Sequence, residues 1–141
     1  MADVDPKKCN FVAIPFYVAD ASGQSQAATA MSAAGEATAT DVPQVPIPWA
    51  GSIVGMSIQV EAARTAGTLT IQPSINGTAA AAALTIDDDP TQYNTVTWRR
   101  ALYPITAGQR IGALWSSDAS WAAATTPSVH VTIWVHLDDV D

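Results

Sequence analysis

The nine residues Val129–Leu137, VHVTIWVHL, constrain the fold more than any other stretch. Val129, Val131, Ile133, Val135 and Leu137 alternate with His130, Thr132, Trp134 and His136. Successive side chains of a strand point to opposite faces, so this period of two predicts a strand with one face in a core and the other outside it. The pattern recurs along the chain. Val54, Met56, Ile58 and Val60 alternate with Gly55, Ser57, Gln59 and Glu61. Leu69, Ile71 and Ile75 alternate with Thr68, Thr70, Gln72 and Ser74, and Val96 and Trp98 with Tyr93, Thr95 and Thr97. Asn76-Gly77 is a strong hairpin signal, because a type I′ turn needs positive φ at both central residues. Pro73 falls inside a predicted strand and implies an edge or a bulge. Seven or eight short strands separated by turn signals predict an all-β fold, a sandwich of about eight antiparallel strands. The long connections favour a jelly roll over a meander.

The first third of the chain differs. Residues 1–10 read as a tail. FVAIPFYV follows, a short apolar segment in which Pro15 cannot donate to a ladder, so an edge or added strand is expected. Residues 19–44 carry almost no large apolar side chain apart from Met31 and Val42, and no helical stripe. One weak strand is expected near residues 37–42. A segment this long without a core of its own cannot repay its conformational entropy alone. Residues 1–44 are therefore expected to form an N-terminal arm, largely extended or loop, with residues 45–141 as the β-sandwich domain. The proline-rich lead-in to Trp49 is the expected boundary.

Charge narrows the function classes. Only 13% of the residues are charged, about half the usual share, and a surface poor in charge suits contact with other subunits. The net charge is −7, and the few Lys and Arg form no run longer than two, which argues against nucleic-acid binding. The one cysteine, Cys9, allows no internal disulfide and fits a reducing compartment. No apolar run approaches the roughly 20 residues of a membrane helix, and no leader is legible, so a soluble protein without membrane contact is expected.

Candidate chemistry is sparse. Asp87, Asp88 and Asp89 offer oxygen ligands for a hard cation, but a solvated turn explains them better. His130 and His136 share a strand face at about 20 Å separation, too far to share one metal within a chain. Three copies of either could meet around a threefold axis. No nucleophile elbow, phosphate-cradling loop or metalloprotease motif is present, so neither catalysis nor a cofactor is expected. The five tryptophans carry more information. Trp49 and Trp115 are expected to be partly in the core. Trp98, Trp121 and Trp134 are expected on the monomer surface, where tryptophan marks a partner or a sugar. Trp134, Trp98, His130 and His136 are the candidate interface, and Trp121 the tip of an exposed loop over residues 116–128.

The stretch VPIPWAGSIVGMSIQVEAARTAGTLTIQPSINGTA, then YNTVTW, then ITAGQRIGALWSSDASWAAATTPSVHVTIWV, resembles jelly-roll structural proteins of tailed bacteriophages over roughly residues 43–137. In that family a strand like AGSIVGMSI, a connection like ARTAGTLT, an Asn-Gly hairpin, a strand like AGQRIG and a terminal V-x-V-x-I-x-V strand occur in this order. The resemblance implies a virion component made in the host cytoplasm: a trimeric capsid decoration (cement) protein, or a head-fibre or tail-associated subunit. The jelly roll would be similar to the tumour-necrosis-factor-like fold. The implied partners are two further copies and the major capsid protein or other virion proteins. Residues 1–44 lie largely outside the matched stretch; from their lack of a core, Phe11, Phe16, Tyr17 and Met31 are expected to grip the capsid. A receptor- or glycan-binding adhesin is the alternative, with Trp121 at its tip. The resemblance carries no catalytic residue.

Overall fold

A computed structural model describes residues 10–22, 28–33, 44–88 and 92–138. These residues form antiparallel strands and no helix. In chain order they are β1 (Phe11–Val18), β2 (Thr29–Ala30), β3 (Ser32–Ala33), β4 (Gln44–Pro46), β5 (Gly51–Val60), β6 (Arg64–Ala66) and β7 (Leu69–Ile75). They continue with β8 (Thr78–Ala79), β9 (Leu84–Ile86), β10 (Tyr93–Thr97), β11 (Tyr103–Ile105), β12 (Arg110–Ser117), β13 (Ala122–Ala123) and β14 (Val129–Leu137). Two sheets of six strands each form; the one with the longer strands, the larger sheet, has the order β10-β5-β14-β1-β3, with β11 continuing along the β10 side of β5. The smaller sheet has the order β2-β12-β7-β8; β4 also lies along β12, and β9 along β7. The chain crosses repeatedly between the sheets, as in a jelly roll, and β6 pairs with β13 in a separate two-stranded ribbon. Several expected strands are broken into collinear pieces, which is why the pieces outnumber the eight expected.

The core lies between the sheets. Ile14 and Phe16 of β1, Ile53, Met56, Ile58 and Val60 of β5, and the odd-numbered residues of β14 meet Leu69 and Ile71 of β7 and Ile111, Ala113 and Trp115 of β12. Each fully buried large side chain contributes about 1.5–3 kcal/mol. Most of the alternation read from the sequence is the alternation observed; Ser74 and His136 are buried although they stand in the outward set, and in β5 the register itself shifts. Trp134 pairs with Gly55 but Val135 pairs with Ile53, so Val54 is an extra, bulged residue. The bulge turns Ile53 into the core and leaves Val54 half-buried.

The expected separation of an arm from a sandwich does not hold for the described part of residues 1–44. β1 pairs along its whole length with β14 and on its other side with β3, and so lies inside the larger sheet. Phe16 is 1% exposed and Met31 is fully buried. Proline is tolerated in β1 because of its parity. The bond from the Leu137 amide to the Asn10 carbonyl (2.6 Å) fixes which residues of β1 face β14, and Pro15 falls in the other set. Its missing N–H therefore points away from β14, and β3 begins to pair only at Phe16. Thr29–Ala30 pairs with β12 while Ser32–Ala33 pairs with β1, so the chain crosses from one sheet to the other at Met31. The strand expected near residues 37–42 lies outside the described residues, as does Cys9.

Two turns carry positive φ where the sequence requires it. Asn76 (φ 52°) and Gly77 (φ 83°) form the expected hairpin between β7 and β8. Gly67 (φ 69°) sits where any Cβ would overlap the backbone nitrogen of Trp121 and a carboxylate oxygen of Asp118. Pro73 is buried in β7 at the gap between β8 and β9, where Ala80 donates to its carbonyl (3.0 Å). Where an edge or a bulge is expected, Pro73 instead keeps its register with Ala113 of β12 and meets a gap between two short strands on its other side.

Candidate functional site

The outer face of the larger sheet collects the residues with unexplained exposure. Cross-strand registers set them in rows. Tyr17 lies opposite His130, His130 opposite Gln59 and Gln59 opposite Tyr93. In another row, Ala13 lies opposite Trp134, Trp134 opposite Gly55 and Gly55 opposite Thr97. Tyr93 is 76% exposed and Trp134 44%, and Phe11 is exposed beside the indole of Trp134. Phe11, Val54, Gly55, Thr95, Val96, Thr97 and Trp134 line an apolar groove of about 320 Å³. The Val54 bulge and the absent side chain of Gly55 open this groove next to the indole.

At the Tyr93 end the face is polar. The His130 imidazole lies 3.1 Å from the Glu61 carboxylate and its ring 4.8 Å from that of Tyr17. The Ser128 hydroxyl, and after it His130, hold the Glu61 carboxyl below its ordinary value. Gln92 donates to the Glu61 carbonyl (3.3 Å) and closes a second concavity lined by Gln59, Val60, Glu61, Gln92 and Tyr93.

The structure sorts the candidate interface residues. Trp134 and His130 lie exposed on this outer face. His136 shares their parity but is buried: Phe11 lies edge-on over its ring at 5.0 Å, and Asp138 lies 3.5 Å from Nδ1. Trp98 is half-buried on the core side and packs edge-on against Tyr103 at 5.2 Å. Trp121 is no tip residue. It is 2% exposed, and its indole N–H donates to the Ala21 carbonyl at 2.8 Å, in a loop also tied by the bond from the Ala21 amide to Pro127. Its own amide donates to the Asp118 backbone carbonyl (3.4 Å); at the Asp118 carboxyl, desolvation favours the neutral acid but hydrogen bonds from Thr68 and Ser120 outweigh it and keep the group below its usual value.

Among the arm candidates, Phe16 and Met31 belong to the core, while Phe11 and Tyr17 project from the outer face. Trp115 is in the core as expected, but Trp49 is exposed. Tyr93 was missed as a site residue; its signal was an aromatic in the polar register of a strand, alternating with Thr95 and Thr97. Among the described residues, no group of three His, Cys, Asp or Glu side chains could hold a metal ion. Asp87 and Asp88 are exposed, and Asp89 lies outside the described residues.

No protein-family model matches the chain, and no curated protein matches it. Among solved structures it is similar to the Eiger TNF of S. frugiperda, with a TM-score of 0.35 and 12% identity over 94% of this chain and 96% of that one. The fold is an all-β sandwich of jelly-roll type.

Proposed function

We propose that this chain is a non-enzymatic structural subunit. It forms a homotrimer through the outer face of its larger sheet and decorates a bacteriophage capsid, binding and stabilising the lattice of the major capsid protein. The observation that carries the assembly reading is the exposure of large aromatics on that face: Phe11 and Trp134, which line an apolar groove, and Tyr93 at the polar end beyond it. Contiguous apolar surface rimmed by polar residues marks interaction sites, and tryptophan and tyrosine dominate the energy of such sites. The virion assignment rests on the resemblance of the strand motifs to jelly-roll proteins of tailed phages.

Light scattering on the full chain tests assembly: three times 14.7 kDa is expected, and a monomer at about 10 μM, where standard-sized interfaces hold, sinks it. Mass spectrometry of purified virions tests decoration, with a fixed copy number per capsid hexamer expected and absence from particles ending the proposal. A receptor- or glycan-binding role is the second reading. It moves from buried Trp121 to Tyr93, whose exposed ring stands beside Gln59, Glu61 and Gln92.

A further inference from the structure

The charged residues are not spread evenly over the two ends of the sandwich. Strand directions place Asp20, Glu61, Asp87, Asp88 and Asp118 at one end, just beyond the ends of β1, β5, β9 and β12, with Arg64 as their basic neighbour. At the opposite end lie Arg99 and Arg100, between β10 and β11, and Arg110, which opens β12 opposite Pro46. Asp138 is the acidic residue described there, and it pairs with Arg100 at 3.2 Å. A chain of net charge −7 thus gathers three of its four described cations at one end.

Apolar side chains stand among these arginines. Trp49 is 46% exposed, and Leu102 is also bare. Hydrogen bonds place both turns at the start of β5. The Asp138 amide donates to the Ala50 carbonyl (2.8 Å), and the Ala101 amide to the Ser52 hydroxyl (3.1 Å). Trp49 and the turn formed by residues 99–102 therefore lie at the same end of the sandwich. Ala101 holds φ at 63°, in the left-handed region, and the Leu102 amide donates to the Arg99 carbonyl (3.3 Å), so this turn is fixed and not a loose tether.

We infer that this arginine and tryptophan end is a docking surface for a protein partner that presents carboxylates around an apolar patch. The composition favours a protein over a polyphosphate. Trp and Arg are the side chains enriched at protein hot spots, where guanidinium groups meet carboxylates in paired hydrogen bonds and the indole fills a pocket. A nucleic acid would meet only three arginines on a chain that is acidic elsewhere, and long-range repulsion would oppose it. The surface is distinct from the groove at Trp134, and the inference stands whether or not the larger sheet assembles into trimers.

The test uses an immobilised random copolymer of glutamate and tyrosine, which supplies carboxylates and aromatic rings without phosphate. A single-stranded oligonucleotide serves as the rival probe, both at roughly 50 mM salt so that charge is only partly screened. The full chain is expected to bind the copolymer. Arg99→Glu with Arg100→Glu should weaken binding about tenfold or more, and Trp49→Ala by about three- to tenfold. Asp87→Lys with Asp88→Lys, at the far end, should bind at least as well as the native chain. Unchanged melting of all variants shows that the fold persists. No binding to the copolymer, or equal binding by the double arginine variant, overturns the inference. Tighter binding to the oligonucleotide reassigns the surface to phosphates. Self-association at low salt that the arginine variant abolishes gives it to a second copy, through the acidic end.

Discussion

The two sheets share one core, yet they turn different faces to solvent. Outside the larger sheet stand Phe11, Tyr93 and Trp134, all bare. Outside the smaller sheet, β7 turns out Thr70 and Gln72, and Gln72 is bonded to the Ala81 carbonyl at 2.7 Å; no bare large apolar side chain lies on that sheet's strands among the described residues. Both faces follow the same period-two rule, so the contrast does not come from folding. A strand needs only one apolar face to fold. Phe11 at least covers the His136 ring, but Tyr93 and Trp134 stand bare, as the proposed assembly face requires.

The comparison can be broken first at the shared core. Phe16→Ala and Trp121→Ala should each lose about 3–5 kcal/mol in urea unfolding, because both leave a large cavity. That is much of the 5–15 kcal/mol total of a typical domain. A loss under about 1 kcal/mol at Phe16 would restore β1 to the status of a detachable arm. Trp134→Ala should change the unfolding of the isolated chain by less than about 1 kcal/mol, while weakening self-association by about 2 kcal/mol or more in sedimentation. Thr70→Ala, on the outside of the smaller sheet, should do neither. Equal effects at the two positions would erase the contrast between the faces. The smallest effect belongs to Glu61. Its folded pKa is depressed, so its contribution is present above the ordinary carboxyl value and fades as pH falls through the folded one. The stability gap between the native chain and Glu61→Gln should therefore shrink as pH falls below about 5. A gap that is flat with pH would mean that Ser128 and His130 do not favour the ionised form.

From Gly51 onward the architecture was legible because one face of each strand repeats Val, Ile, Leu or Met at a period of two. The Asn76-Gly77 turn was legible because its φ values leave few alternatives. The Val54 bulge was not, since Ile53 and Val54 are equally apolar and the periodicity fits either register. The place of β1 was obscured by Pro15: a proline tells which amide is missing, but not which side of the strand that amide faces. Trp121 was misplaced because its partner, the Ala21 carbonyl, is 100 residues away in sequence. Loop composition says nothing about such a closure. Of the candidate site, Trp134 and His130 could be read from strand parity alone. The burial of His136 could not, since it depends on Phe11 of another strand lying over its ring.

The pairing of the first and last described strands has a mechanical consequence. β1 and β14 are antiparallel neighbours, and Asn10 and Leu137 are bonded at the same end. A force applied between those two points would not shear the ladder, in which all the bonds would share the load at once. It would open the ladder like a zip from the Asn10 end, one rung after another, because antiparallel hydrogen bonds lie across the strands and along the direction of opening. Tension between Asn10 and Leu137 is therefore the weak direction of this strand pair.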